Sequence, residues 1–201
     1  MSSLSRLLAA VGITLAAPSF VLNVAAHGGE FPGPDSVDRV DGLFSIMFMA
    51  GAAFVVAALL LATPAPLGRK GRYLLYVEAV MVALGGMWAA LVVNDPNVID
   101  SNNPIVLAGD ASWPLHQVFM IVVGIAAVRG GAWPSPARYT LFGPAIGLAG
   151  LAFGAIVGID YLAAIGIGSG WAIAGAGVLA AADDDPIDFG EETQARTTVA
   201  A

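Results

Sequence analysis

The side chains in this sequence that could do chemistry fall into three groups. The first is a single carboxylate, Glu78, inside an otherwise apolar run. An acid within a membrane-crossing segment is by default a functional-site candidate, because a charge left in hydrocarbon is costly. It could carry a proton, hold a cation or balance a charged substrate. Counted from Tyr73, where the apolar run opens, Glu78 lies five residues in, roughly 8 Å along a helix that rises 1.5 Å per residue. At that depth a plainer role competes: a carboxylate that reaches the headgroups or pairs with Arg72, Arg129 or a tyrosine hydroxyl.

The second group is imidazole and thioether. His27 follows the first apolar run, and His116 opens the fourth if that helix begins at Trp113. Both then belong to one face of the membrane, with Met47, Met49, Met87 and Met120 nearby. Imidazole with thioether suits copper(I), which makes His27, His116 and Met120 candidate metal ligands. The two histidines could instead be the axial ligands of one haem. The spacing matches no established metal motif, and methionine is ordinary core filling. In Ser112-Trp113-Pro114, serine is a possible cap and proline suits the first helical position.

The third group is small residues. Gly143, Gly147, Gly150, Gly154 and Gly158 recur at three- and four-residue steps, and Gly166, Gly168, Gly170, Gly175 and Gly177 follow. Glycine on one face lets membrane helices approach closely, so these positions are read as helix-packing residues. The contact could be within the chain, between copies, or with another membrane protein. Pro144 and the 166–170 run could also break a helix and bare its backbone to a substrate.

Helices must position these groups. Of 201 residues, 58% are hydrophobic and 11% charged. A soluble domain carries about a quarter charged residues, so lipid must solvate much of this surface. A span needs about 20 apolar residues. The predicted fold is all-α: a polytopic membrane bundle over 1–182 with six transmembrane helices at about 7–26, 43–62, 73–93, 113–131, 139–158 and 161–182. The last two share one long apolar stretch, and a reversal at Asp160, between Gly158 and Tyr161, spares a mid-membrane charge. Residues 183–201 read as a disordered acidic cytoplasmic tail. The first run ends Val24-Ala25-Ala26 and could be a cleaved signal peptide, but its length and Pro18 favour a retained helix.

Arg69, Lys70 and Arg72 crowd the second link, and Arg129 and Arg138 flank the fourth. The links 27–42 and 94–112 are acidic. Basic segments stay in the cytoplasm, so both termini are expected inside the cell membrane and the acidic loops outside. Fifteen acidic residues against eight basic ones, with Lys70 the sole lysine, suit a halophilic host. The same balance argues against nucleic acid as a partner. Without cysteine there can be no disulfide, thiolate metal site or cysteine nucleophile. No phosphate-binding glycine loop or zinc-protease motif occurs.

The expectation is therefore a non-enzymatic structural, regulatory or accessory membrane subunit, with lipid and membrane proteins as partners and no cofactor. Two alternatives stand beside it: a small transporter or channel using Glu78, and an outer-face haem or copper protein using His27 and His116.

Overall fold

The computed structural model describes residues 2–32, 37–62, 65–100, 103–130, 133–134 and 136–183, without the side chains of residues 69, 70, 100, 182 and 183. The expected acidic tail lies, from residue 184 on, outside the described residues. All regular structure among the described residues is helical. Six long helices run α1 Ser3–Ala26, α2 Arg39–Leu61, α3 Gly68–Asn94, α4 Pro104–Gly130, α5 Gly143–Val157 and α6 Asp160–Asp183. Short 3₁₀ segments, Pro96–Asp100 and Ala137–Phe142, precede α4 and α5. All six helical spans are long and apolar enough to cross a membrane, α5 counted together with its 3₁₀ lead-in, so the chain is a multi-pass membrane protein.

Local chemistry sets the helix ends. Ser2 accepts a hydrogen bond from the Ser5 N–H and caps α1. Asp38 accepts from the N–H groups of Val40 and Asp41, while Asp41 accepts from the Asp38 N–H, a reciprocal capping box that starts α2. α1 closes on Gly28 at φ 72°, with the Gly29 N–H donating to the Val24 carbonyl. α5 closes the same way on Gly158 at φ 70°, with Ile159 N–H donating to Gly154. The chain then reverses into α6 at Asp160, as expected. There the Asp160 carboxylate accepts the Phe31 N–H at 3.0 Å and ties the first link to α6.

Neighbouring helices form a ring, α1 to α6 and back to α1, and α2 also meets α6 across it. α2 and α6 are the most buried spans. Phe48, Val55 and Leu59 of α2 and Ile167 and Trp171 of α6 form the centre. Val118, Ile121, Val122 and Ile125 of α4 face outward. Such a stripe is stable only against acyl chains or another apolar surface.

Candidate functional site

Two helices start earlier than their apolar runs do, and that moves the chemistry inward. α3 begins at Gly68, so Glu78 lies roughly 15 Å from the helix start rather than 8 Å. α4 begins at Pro104 rather than Trp113, which places His116 roughly 18 Å along it, near the middle of the span and not at the outer face. Pro114 is thus inside a helix rather than at its first turn, which membrane helices tolerate where neighbours satisfy the freed carbonyl.

Glu78 and His116 meet at that depth. His116 Nδ1 lies 3.1 Å from Glu78 Oε1, and both side chains are wholly buried. The partner of Glu78 is this imidazole, not an arginine or a tyrosine hydroxyl. Trp171 stacks on the His116 ring at 5.6 Å, and Phe48 meets it edge-on at 6.3 Å. Four helices therefore contribute: α3 the acid, α4 the imidazole, α2 and α6 its aromatic walls.

The pair is incompletely satisfied. Glu78 Oε2, His116 Nε2 and Trp171 Nε1 have no protein hydrogen-bond partner, nor does either amide atom of Gln117, the next residue on α4. Buried polar atoms are nearly always partnered by protein, water or ligand. An imidazole with one nitrogen on a carboxyl and the other unengaged can take a proton on one side and release it on the other. The pair can hold that proton as acid plus neutral ring, or as carboxylate plus imidazolium.

Above the pair, a cavity of about 320 Å³ opens toward the end of the bundle that holds the acidic links. Asn23, Asp41, Ser45, Trp88, Asp110 and Trp113 are among its walls. Trp113 packs edge-on against Phe20 at 5.7 Å and lies 6.3 Å from Phe48. Phe20, Phe48 and Trp113 thus form one aromatic layer between the cavity and His116.

His27 belongs to a different group. It is the C-cap of α1 and sits beside the start of α2, with Nε2 3.5 Å from Asp38 and 4.0 Å from Asp41. The Asn23 carbonyl that engages its Nδ1, reinforced by the Asp41 and Asp38 charges, raises the His27 pKa above its ordinary value. The backbone N–H groups of Asp41 and Val40, then His27, hold the Asp38 pKa below its own. Trp113 packs on Phe20, already seven residues, roughly 10 Å, from His27, and His116 lies a further turn down. The two histidines are too far apart to share one metal or haem, so the set His27, His116 and Met120 is not assembled. Met49 and Met120 are buried in the core, and Met87 is half-exposed.

Four of the five glycines in this ladder seat α5 on α6. A Cβ on Gly147 would stand 2.9 Å from the Gly166 carbonyl oxygen, and one on Gly154 would strike the Ala163 backbone. Gly143 and Gly150 face Gly170 and Gly166 in the same way. This face is used within the chain. Gly158 does another job: a Cβ there meets nothing, and its left-handed backbone ends the helix. Trp171 is fully buried in the bundle.

Sequence reasoning singled out Glu78 and His116 but placed them apart, and it treated Asp38 and Asp41 only as loop charge. A capping-box pattern before an apolar run was the available signal for the latter pair. Comparison with known protein families, with curated proteins and with solved structures finds no match for this chain.

Proposed function

We propose that this protein is a small membrane transporter that moves protons, with Glu78 and His116 as its proton site. The observation that carries the reading is the 3.1 Å contact between these two wholly buried side chains near mid-span. A buried ionisable pair is a poor way to stabilise a bundle, since apolar side chains of similar volume do as well or better. Membrane interiors hold such groups chiefly where a proton, ion or substrate passes. The unengaged Nε2 of His116 supports a relay, in which imidazole receives a proton on one nitrogen and passes one to Glu78 from the other.

With basic segments in the cytoplasm, the cavity beside Asn23 and Trp113 faces outward and forms the external vestibule. The Phe20, Phe48 and Trp113 layer separates it from the proton site, so access to the pair requires those rings to shift. A closed aromatic layer above a polar pair is the arrangement that alternating access needs on one side.

Proton uptake into vesicles containing the purified protein, driven by a potassium diffusion potential and read with an internal pH dye, tests this. Wild-type protein is expected to exceed empty vesicles. Glu78→Gln and His116→Asn should each reduce the excess by about a hundredfold, the scale of losing a positioned acid or base. Wild-type flux equal to that of empty vesicles, or full flux in Glu78→Gln, would return the chain to the class of structural or accessory subunits.

A further inference from the structure

The His27, Asp38 and Asp41 group is used by neither the proton pair nor the helix seam. One ligand-capable atom from each residue lies within 4.8 Å of the others. Four features separate it from an ordinary capped helix start. The capping box engages Asp38 Oδ1 and Asp41 Oδ2 with backbone N–H groups, and Asp38 Oδ2 is left facing His27. The Nδ1 of His27 is 2.9 Å from the Asn23 carbonyl, so that in the neutral ring Nδ1 donates and Nε2 turns its lone pair to the carboxylates. That is the second-shell arrangement by which proteins orient a ligating imidazole.

The third feature is distance. At 3.5 Å, Nε2 and Asp38 Oδ2 stand farther apart than a usual hydrogen bond. Two ligands each about 2.0–2.1 Å from a tetrahedral zinc ion are separated by roughly 3.4 Å. The fourth is Asn23, which is 2% exposed and lines the cavity. Its amide nitrogen donates to Asp41 Oδ1 at 2.6 Å, and its Oδ1, on the same amide against that carboxylate, has no protein partner. The C-terminal carbonyls of α1 add negative potential at the same spot.

We propose that His27, Asp38 and Asp41 bind a divalent transition-metal ion of the zinc class, pinning the C-terminus of α1 to the N-terminus of α2 at the mouth of the cavity. One imidazole with two carboxylates suits zinc, manganese or iron(II) better than copper(I), which prefers thiolate and thioether. Asp41 also lines the cavity, so water there can complete the shell.

The full chain, purified in detergent and freed of metal, would be titrated with zinc chloride by calorimetry in excess magnesium. One saturable zinc ion per chain is expected, with a rise in the thermal midpoint. Cobalt(II) in its place should give visible d–d absorption. His27→Gln and Asp38→Asn should each weaken zinc binding by more than about tenfold, the least that losing even an outer-shell partner costs. Asparagine caps a helix as well as aspartate, so Asp38→Asn keeps α2 intact while removing a ligand. Glu78→Gln should bind zinc as wild type does, which keeps this result independent of the transport assay. No saturable site, or unchanged binding in both His27→Gln and Asp38→Asn, would overturn the proposal.

Discussion

The α5–α6 seam and the α3–α4 pair are both buried, and they are built on opposite principles. Along the seam, glycines bring backbones into contact, and Gly147, Gly150 and Gly154 leave no room for a side chain. At the pair, side-chain polar atoms are buried without full satisfaction, although apolar residues could fill the same volume. The first arrangement gains dispersion contacts along its whole length. The second gives up stability locally, and selection for stability alone does not produce it. On the proposed function, this contrast separates the packing region of the bundle from its proton site.

The seam should break hardest. Gly147→Leu would drive four carbons into the Gly166 and Gly170 backbones. A loss of about 3 kcal/mol is expected, at the upper end for overpacking. It would be read as a lower thermal midpoint and early aggregation in detergent. Gly154→Ala should cost about 1–3 kcal/mol for the same reason, because its Cβ would lie 2.6 Å from the Ala163 Cα. Gly158→Ala enters open space but must hold φ near 70°, so a smaller cost of about 1 kcal/mol is expected. If alanine at 158 proved as harmful as at 154, the two glycines would share one role and the distinction drawn between them would fail. At the α2 cap, Asp38→Ala should cost about 1 kcal/mol, as at Gly158, and Asp38→Asn, the smallest effect, almost nothing in the absence of metal, by the same melting measurement.

The fold was largely legible in the sequence, because six long apolar runs admit little else in a bilayer. Helix starts were not. The α3 start at Gly68 holds Arg69, Lys70 and Arg72, and such residues look like a loop even when they extend a helix into the headgroup layer. The first turns of α4 carry Asp110 and Pro114, which read as a link and a helix opening. Those two errors, of five and nine residues, put Glu78 near one surface and His116 at the other, when they are hydrogen-bonding neighbours. Pairing across helices depends on depth and rotation together, and neither is fixed by hydropathy. The glycine ladder was readable because its spacing is itself the packing signal, except at Gly158, where identical spacing hid a turn. His27, Asp38 and Asp41 were visible singly. Their meeting depends on the left-handed Gly28 that ends α1, which no local pattern announced.

The contrast between seam and pair is tested most directly by replacing Glu78 and His116 together with leucine and measuring both melting and proton flux on the same preparation. An apolar pair in place of a buried ionisable one should leave the bundle as stable as wild type, or more so by about 1–4 kcal/mol, while the proton flux disappears. A double variant that carries protons at the wild-type rate would contradict the central claim.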